Sequence, residues 1–472
     1  MIKKNLKNLS LQNRTVIINM FGAFAVKGLS LCLSLCTMPA YIRFFKDQTI
    51  LGVWFTIISV LNWILYFDLG FGNGLRNKLP EAITENNVIK IKQLISTTYI
   101  TMMVFTIVLG IVGGIVIPKI NWNNIFNIDV LLVSNRVLVN CVLIVYYGIL
   151  LQFVMKLVAS VLYALQKSAV VDFLTLLSSL CIVFSLIFIP SSTIEINLYV
   201  MAIINVLAMI FPYLAMSFWV YGKLLKKSYP SIKYFNKIYV RDITKIGLSL
   251  LWLQIIFMVV SSTNEFLIAK FTSPKYVVEY QAYYKVFKTG GMIFSLALTP
   301  IWSAVTKAQA NKDYKWIKKI YKLFLIASVI CCVIELAIVP VLQPLMDIWL
   351  GKEAIIVSSL TGIAFAFSGT IFVVHNVNTS IGNGISYFKV QMIWMTVAAI
   401  CDIPFSYLMV QVMGTWVGIV IANIIVLIPY EVFAPIYTIK RLNIEICKEE
   451  KQTTVGSDHL REKYNFSKEI IN

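Results

Sequence analysis

The sequence predicts an all-α, polytopic membrane protein with about twelve transmembrane helices. Of its 472 residues, 59% are hydrophobic and only 13% are charged, about half the charged fraction of an average soluble protein. The apolar residues occur in blocks of roughly 20 or more, the length of helix that crosses a hydrocarbon core about 30 Å thick. The short alternating strands of a transmembrane barrel are absent from the sequence.

Hydropathy places twelve spans along the chain. The first span follows a basic N-terminus and is too long for the apolar core of a cleavable signal peptide, so we expect it to stay in the membrane. The fourth span is the least clearly defined, because Lys156 interrupts its apolar run. The spans cover approximately residues 16–39, 49–69, 94–117, 138–164, 169–189, 197–221, 246–271, 281–304, 322–343, 355–377, 388–411 and 415–437.

Basic residues are distributed unequally between the two sets of loops. Of the 41 Lys and Arg residues, 31 lie in segments on the same side as the N-terminus and 7 in segments on the opposite side. The positive-inside rule therefore predicts that both termini are cytoplasmic. This asymmetry explains most of the formal net charge of +19 and makes anionic lipid headgroups the expected partner of the loops. The sequence contains no nucleic-acid-binding motif.

A long basic segment divides the twelve spans into two groups of six. The predicted organisation is an N-terminal lobe at residues 1–221, a basic cytoplasmic loop at 222–245, a C-terminal lobe at 246–438 and a charged cytoplasmic tail at 439–472. Residues 44–54 and 270–280, which both follow the first span of a half, are weakly similar. An internal repeat of this kind is common in transporters.

Motifs for catalysis and cofactor binding are missing from the sequence. There is no Walker-type loop for a nucleotide, and the two histidines and eight cysteines show no metal-ligand spacing. The loops on the outer side are short and carry no paired carboxylates suited to glycosyl transfer. We therefore expect a protein that is not an enzyme and that has no cofactor and no metal.

Lys27 is the most unusual polar residue within the predicted spans. It lies about twelve residues, or roughly 16–18 Å, from either end of the first span, too deep for its ammonium group to reach a headgroup layer easily. Leaving that group in lipid would cost about 2.5–3.5 kcal/mol. Lys27 could face a water-filled cavity and meet an anionic substrate. Alternatively, it pairs with a neighbouring acid, or the predicted edge of the span is misplaced.

Lys285 and Lys288 are three residues apart and share one face of the eighth span, close to its outer end. They either face the same cavity as Lys27 or extend outward to the headgroups. Glu265, near the outer third of the seventh span, lies at a similar depth. Its carboxylate could pair with one of these lysines or carry a coupling proton or ion.

Two further acids, Glu335 in the ninth span and Asp402 in the eleventh, also fall within the predicted membrane region. Asp402 precedes Pro404, where the helical hydrogen-bond ladder is broken. Each of these acids either stabilises the structure through polar contacts or has a functional role. His375, near the cytoplasmic end of the tenth span, is interpreted as an ordinary residue at a helix end.

Residues 67–82, FDLGFGNGLRNKLPEA, combine glycine and polar residues directly after the second span. A phosphate-binding loop would need a preceding strand, so we expect the glycines to end the membrane helix and Pro80 to begin a short amphipathic helix. Asp68, in the last turn of the predicted second span, either pairs with Arg76 or caps a neighbouring element, and a role as a gate hinge is a further hypothesis. The notable residues of this predicted loop are Asp68, Gly70, Gly72, Asn73, Gly74 and Arg76.

Three segments resemble one transporter family. Residues 51–79, LGVWFTIISVLNWILYFDLGFGNGLRNKL, resemble the second span and following loop of Wzx-type polysaccharide flippases. Residues 249–317 are similar to the seventh and eighth spans of that family, and residues 162–180 to its connection between the fourth and fifth spans. The segments 51–79 and 249–317 are the more specific part of the resemblance, because a twelve-span layout alone is shared by many transporters.

The resemblance implies membership of the multidrug/oligosaccharidyl-lipid/polysaccharide (MOP) exporter superfamily. The fold expected from it has two six-helix lobes around a central cavity that opens alternately to either side. The expected substrate is an undecaprenyl-pyrophosphate-linked oligosaccharide repeat unit, moved from the inner to the outer leaflet of the bacterial cytoplasmic (inner) membrane. The unit then serves O-antigen, and so lipopolysaccharide, or capsule synthesis, with the pathway's polymerase and chain-length regulator as further partners.

The same resemblance gives roles to the intramembrane charges. The pyrophosphate is anionic, which fits Lys27, Lys285 and Lys288 as cavity cations, and Glu265 becomes the candidate for coupling to a proton or sodium gradient. Multidrug exporters of the superfamily often carry a carboxylate in the first span, where this chain has Lys27, so an anionic cargo is favoured. The alternative is a multidrug exporter, followed by a membrane glycan polymerase or ligase.

Overall fold

A computed structural model describes residues 11–65, 71–165, 167–226, 228–351, 354–385, 387 and 389–469. Throughout these residues the regular secondary structure is helical, with no strand. The prediction of an all-α fold is confirmed. The described part of each predicted span is largely helical, but the seventh and ninth spans each cover more than one helix and the helix of the twelfth span continues to Glu469.

The helices of the first half follow the chain in order. They are α1 (Leu11–Phe45), α2 (Gln48–Leu65), α3 (Phe71–Thr84), α4 (Val88–Val116), the short α5 (Trp122–Phe126), α6 (Asn135–Ala164), α7 (Ser168–Phe188) and α8 (Ile194–Trp219). α6 runs without interruption through Lys156, so the predicted fourth span lies on one continuous helix.

The second half begins after the basic segment. Its helices are α9 (Lys237–Ser262), α10 (Asn264–Phe271), α11 (Lys275–Ala310), α12 (Tyr314–Ile338), α13 (Leu342–Leu350), α14 (Ser359–Gly384), α15 (Lys389–Met413) and α16 (Val417–Glu469). Nine helical stretches of the described chain are long and apolar enough to cross a membrane, and α2 is a shorter apolar helix. The chain is therefore a multi-pass membrane protein.

The predicted seventh span is a broken helix. α9 ends at Ser262 and α10 starts at Asn264, with Thr263 between them. Discontinuous helices expose backbone groups that would otherwise be bonded within the helix, and transporters use such breaks to hold ions and substrates. The predicted ninth span is also interrupted, by a 3-10 turn at Val339–Val341 that contains a proline.

The prediction that the glycine-rich segment is a loop is wrong for its described part. Gly72, Asn73, Gly74 and Arg76 lie inside α3, which begins nine residues before Pro80. Glycine does not end the helix here because α3 packs closely on α6: a Cβ at position 72 would lie 2.7 Å from the Ser160 hydroxyl oxygen. Close packing therefore accounts for this glycine. Asp68 and Gly70 lie outside the described residues.

α1 contains Pro39, whose backbone has no N–H to donate to the carbonyl of Leu35 one turn earlier. The indole N–H of Trp349, on α13, donates to this carbonyl at 2.8 Å. The hydrogen bond from Trp349, which is distant in the sequence, thus replaces the helical hydrogen bond that proline removes. A proline in a membrane helix is tolerated where a neighbour satisfies the freed carbonyl in this way.

The described chain forms two compact units. The first comprises residues 1–285, 343–356 and 406–419, and the second comprises 286–342, 357–405 and 420–472. In the first unit, α1 packs on α7, and α6 packs on α3, α4 and α8. The predicted lobes at 1–221 and 246–438, the loop 222–245 and the tail 439–472 stay a prediction.

The second unit has its own apolar core, in which α12 packs on α14. Buried side chains from α11, α12, α14 and α16 meet there, among them Val305, Ile317, Val377 and Leu442. Burial of side chains of this size stabilises the unit by roughly 1.5–3 kcal/mol each relative to water. The polar contacts of this unit are formed on these four helices and on α15.

Candidate functional site

Lys27 lies near the middle of α1, 16 residues after Leu11 and 18 before Phe45. Its side chain is exposed in the first unit, and it interacts electrostatically with Asp172 on α7, the helix packed against α1. The acid that could neutralise Lys27 is therefore Asp172, which the sequence analysis did not single out. Asp172 lies in the fifth span, where any acid is unusual, and that signal could have identified it.

Lys285 reaches the same helix from the start of α11. Its ammonium group donates to the backbone carbonyl of Ser34 at 2.7 Å. Ser34 is seven residues after Lys27, so the two positions differ by only about 20° around the helix axis and by roughly 10 Å along it. The first unit thus places two cationic groups along nearly the same side of α1.

Glu265 occupies the first turn of α10, directly after the break in the seventh span. Its two carboxylate oxygens accept hydrogen bonds from Ser59 Oγ at 3.0 Å and from Gln281 Nε2 at 2.7 Å. A carboxylate at a helix N-terminus is also favoured by the helix dipole. Helices α2, α10 and α11 therefore position this half-buried acid together.

The carbonyl of Ser262, the last residue before the break, accepts two side-chain hydrogen bonds. They come from Ser59 Oγ at 3.0 Å and from Trp63 Nε1 at 2.7 Å, both on α2. Ser59 therefore contacts both the exposed backbone of the broken helix and the Glu265 carboxylate. This arrangement of a carboxylate beside an unwound carbonyl is chemically suited to hold a proton or a small cation.

In the second unit, Lys288 lies over an aromatic ring and near an acid. Its Nζ is 3.9 Å from the ring centroid of Phe372 on α14, a cation–π distance. It also interacts electrostatically with Glu335 on α12. Lys288 therefore has contacts within the second unit that the sequence did not predict.

Glu335 is 4% exposed and lies against the backbone of α14. Oε2 accepts a hydrogen bond from Thr370 Oγ1 at 3.2 Å. A Cβ at the adjacent Gly369 would lie 2.6 Å from both carboxylate oxygens, so glycine makes the space that the acid occupies. Asp402, on α15, is completely buried, and its Oδ1 accepts a hydrogen bond from Asn423 Nδ2 at 3.3 Å.

Another buried acid, Glu431 on α16, belongs to a chain of hydrogen bonds across three helices. His375 Nδ1 lies 2.9 Å from Glu431 Oε1, and Asn378 Nδ2 donates to Oε2 at 2.7 Å. The Tyr321 hydroxyl donates in turn to Asn378 Oδ1 at 2.6 Å. The interpretation of His375 as an ordinary helix-end residue misses this network, and Glu431 was not identified despite being an acid within a predicted span.

The glycine-rich helix α3 contributes one cation to the first unit. The Arg76 guanidinium carbon lies 4.3 Å from the ring centroid of Tyr163 on α6, so the planar group stacks on the aromatic face. Asn73 is half-buried and Gly74 is buried. No three His, Cys, Asp or Glu side chains of the described chain are grouped so that they could hold a metal ion.

Solved structures of transporters share this arrangement of helices. An inward-facing multidrug resistance MATE family transporter of the MOP superfamily aligns over 89% of this chain and 99% of its own, with a TM-score of 0.69 and 14% identity. The lipid II flippase MurJ, in an inward closed conformation, aligns over 89% of this chain and 90% of its own, with a TM-score of 0.65 and 14% identity. The MATE transporter VcmN of Vibrio cholerae, in its bent form, has a TM-score of 0.55 and 13% identity over 90% of this chain and 98% of its own.

No model of a protein family and no curated protein matches the sequence. At 13–14% identity, the structural similarity establishes the fold and no more. The chain has the fold of MATE transporters and of the lipid II flippase MurJ. The Wzx-type resemblance remains a sequence-based hypothesis.

Proposed function

We propose that this protein is a flippase for anionic, lipid-linked oligosaccharides. It carries an undecaprenyl-pyrophosphate-linked repeat unit, of O-antigen or capsule, from the inner to the outer leaflet of the bacterial inner membrane. Both termini are cytoplasmic, and the polymerase and chain-length regulator of the same pathway act on the product. The observation that carries the proposal is Lys27, an exposed ammonium group halfway along a membrane helix.

The charge on α1 supports an anionic cargo. Lys27 and the Lys285 ammonium lie along nearly the same side of this helix, while Asp172 is the acid that interacts with Lys27. A diphosphate carries more than one negative charge, so it can interact with both cations even though Asp172 also interacts with Lys27. Lys288, in the second unit, is proposed as a further substrate contact. Its ammonium lies over the Phe372 ring and not in lipid.

Transport is proposed to be coupled to an ion gradient through Glu265. The carboxylate lies beside the Ser262 carbonyl at a helix break, and both are contacted by the Ser59 hydroxyl. Binding of a proton or cation to Glu265 would change the hydrogen bonds that connect α2 to α10. Glu335 and Asp402 have polar partners within the second unit, which supports a structural role for both.

A multidrug exporter is the second candidate, because the chain has the fold of a MATE transporter. The two functions differ in the charge of the cargo that the first helix favours. A cationic drug would be repelled by Lys27, whereas a carboxylate at this position would attract it. The third candidate, a glycan polymerase or ligase, predicts that the purified protein lengthens or transfers a glycan.

Deletion of the gene tests the proposal in cells. We expect repeat units to accumulate on lipid carrier in the inner leaflet and surface glycan to be lost, with both defects restored by the wild-type gene. Leaflet-resolved analysis of lipid-linked sugars is the measurement. Normal surface glycan in the deletion strain, together with altered drug tolerance, would instead identify the exporter.

A further inference from the structure

A group of four polar side chains lies in the interior of the second unit, beside its apolar core. These side chains are His375 and Asn378 on α14, Glu431 on α16 and Tyr321 on α12, and we call them the Glu431 network. Tyr321 is completely buried and Asn378 is 4% exposed, whereas the side chains of His375 and Glu431 are 15% and 7% exposed. The transport mechanism proposed above uses none of these residues.

The hydrogen bonds of the Glu431 network converge on the Glu431 carboxylate. Asn378 Nδ2 donates to Oε2 at 2.7 Å, and the Tyr321 hydroxyl fixes the orientation of this amide by donating to its Oδ1 at 2.6 Å. The other carboxylate oxygen, Oε1, lies 2.9 Å from His375 Nδ1. A hydrogen atom therefore lies between Oε1 and Nδ1, because two bare acceptors at this distance would repel each other.

The contact between His375 and Glu431 can exist with or without one extra proton. Without it, a neutral His375 donates from Nδ1 to the carboxylate, and the pair carries one negative charge. With it, His375 Nε2 has also gained a hydrogen and the pair is neutral overall. This holds whether the hydrogen between Nδ1 and Oε1 is assigned to the imidazole or to the carboxyl group, so the extra proton belongs to the pair rather than to one residue.

His375 is the basic group that faces the Glu431 carboxylate. Within the described part of the chain it is the one base that forms an ion pair with Glu431. The titratable neighbours from α12 and α16 are Tyr321 and Tyr430, which interact electrostatically with Glu431 and are uncharged at neutral pH. The Tyr430 ring also packs on the imidazole, with 5.3 Å between the ring centroids.

The other charged groups of the surrounding helices have different environments. Glu335 and Asp402 accept hydrogen bonds from residues outside the Glu431 network. The Arg441 guanidinium lies 4.4 Å from the ring centroid of Tyr387. The lysines nearest to the network in sequence are exposed or half-buried; they are Lys307, Lys318, Lys319, Lys322, Lys389 and Lys440. The carboxylate therefore depends on His375 for its counter-charge.

A buried negative charge favours uptake of the extra proton. A carboxylate that is removed from water is costly unless an opposite charge compensates it. The protonated pair is neutral overall and keeps the contacts of Glu431 with His375 and Asn378. The deprotonated pair leaves one net negative charge between α14 and α16.

We propose that His375 and Glu431 form a proton-binding site that strengthens the packing of α14 on α16. The exposed part of the imidazole gives protons access from water. On the predicted topology both residues lie in the cytoplasmic halves of their spans, so the site responds to cytoplasmic pH. Loss of the proton weakens the contact between the two helices, and Asn378 and Tyr321 extend this effect to α12. The site is distinct from Glu265 in the first unit and does not depend on the cargo.

The pH dependence of stability tests the site in the purified full-length protein. Unfolding by a denaturing detergent is measured from about pH 5 to about pH 9, one unit beyond the range in which histidine ordinarily titrates. The folded pair holds its proton more tightly than an unfolded chain does, so stability should fall as pH rises. We expect the unfolding equilibrium constant of the wild type to increase by up to about tenfold per pH unit, the limit for loss of one proton.

Two matched variants isolate the contribution of the pair. Glu431→Gln keeps an acceptor for Asn378 but carries no negative charge, so this variant should lack the increase. Glu445→Gln alters a partly exposed acid on the same helix, which pairs with the surface residue Lys448, and should keep the wild-type pH dependence. Equal pH dependence in the wild type and Glu431→Gln would overturn the proposal.

A second measurement leaves the site intact, because Glu431→Gln could disturb folding. The chain has two histidines, His375 and His459, so nuclear magnetic resonance of protein labelled with ¹⁵N at histidine gives two sets of imidazole signals, which His459→Gln assigns. We expect the Nε2 signal of His375 to change from the bare to the protonated form as the pH is lowered over the same range. A constant Nε2 signal would contradict the site, whatever the protein transports.

Discussion

The imidazole Nδ1 of His375 lies 2.9 Å from Oε1 of Glu431, and both side chains are largely shielded from solvent. Asn378 and Tyr321 extend this contact, so that α12, α14 and α16 are joined by consecutive hydrogen bonds. In a low-dielectric interior each of these groups depends on the others, because an unpaired buried polar group is costly. The network therefore stabilises the packing of the second unit.

Removal of the Glu431 carboxylate should destabilise the protein. Glu431→Ala leaves His375 and Asn378 without their acceptor, and each such group costs about 1–3 kcal/mol. We expect a lower midpoint of thermal unfolding in detergent, measured by loss of monodisperse protein on heating. Glu445→Ala is the matched control, because Glu445 is a partly exposed acid on the same helix whose partner is the surface residue Lys448, and pairs of that kind contribute about 0–1 kcal/mol. Equal melting shifts in the two variants would contradict the role of the network.

Gly369 should be intolerant of any larger side chain. The Cβ of Gly369→Ala would lie 2.6 Å from the Glu335 carboxylate, and overpacking of this kind costs about 1–3 kcal/mol. Gly28→Ala is the matched control, since a Cβ at this helical position has no neighbour within 4 Å and alanine favours the helix by about 1 kcal/mol. We expect thermal stability to fall for Gly369→Ala and to stay the same or rise for Gly28→Ala. A Gly369→Ala protein as stable as wild type would contradict this, because it would show that the Glu335 carboxylate can move away freely.

Trp349 and Pro39 should be energetically coupled. Trp349→Phe removes the hydrogen bond to the Leu35 carbonyl, at a cost of about 1 kcal/mol in the wild-type background. In a Pro39→Ala background the new backbone N–H can satisfy that carbonyl, so the same substitution should cost less. A double-mutant cycle on unfolding free energies measures the difference. Additive effects of the two substitutions would contradict the replacement of the helical hydrogen bond by the indole.

Glu265→Gln tests the coupling proposal. Glutamine keeps a hydrogen-bond acceptor for Ser59 but cannot carry a charge, so we expect the variant to fold and to lose the dependence of transport on an imposed proton or sodium gradient. Glu195→Gln, at an exposed acid in the first turn of α8, is the control and should retain it. Unchanged gradient dependence in Glu265→Gln would exclude this carboxylate as the coupling site.

The sequence predicts the helices well because a membrane helix is defined by the length and polarity of one continuous segment. The described residues of the predicted spans are largely helical, apart from interruptions at Thr263 in the seventh span and at Val339–Val341 in the ninth. The error at residues 71–80 has a different origin. Glycine and proline have low helix propensity, but Gly72 lies where α3 packs closely on α6, since a Cβ there would lie 2.7 Å from Ser160 Oγ. Local sequence does not contain this tertiary packing.

The site residues were predicted individually rather than as groups. Depth along a span identified Lys27 and Glu265, because charge in a membrane segment is unusual on its own. Their partners are distant in sequence: Asp172 lies on α7, and Ser59 lies on α2. A single sequence does not report which faces of two helices meet, so the pair of Lys27 with Asp172 and the network around Glu431 needed the folded chain.

The measurement that most directly tests the proposed function is translocation by purified protein in proteoliposomes. A fluorescent lipid-linked oligosaccharide with a pyrophosphate linkage is placed in one leaflet, and its movement is followed by quenching from outside. We predict that wild type and Lys27→Arg translocate the lipid. The rate of translocation by Lys27→Ala should be at least about tenfold lower, as expected for loss of one charge-assisted contact. Lys119→Ala is the control and should translocate at the wild-type rate. Equal translocation by Lys27→Ala and wild type, or none by any of them above protein-free liposomes, would contradict the proposal.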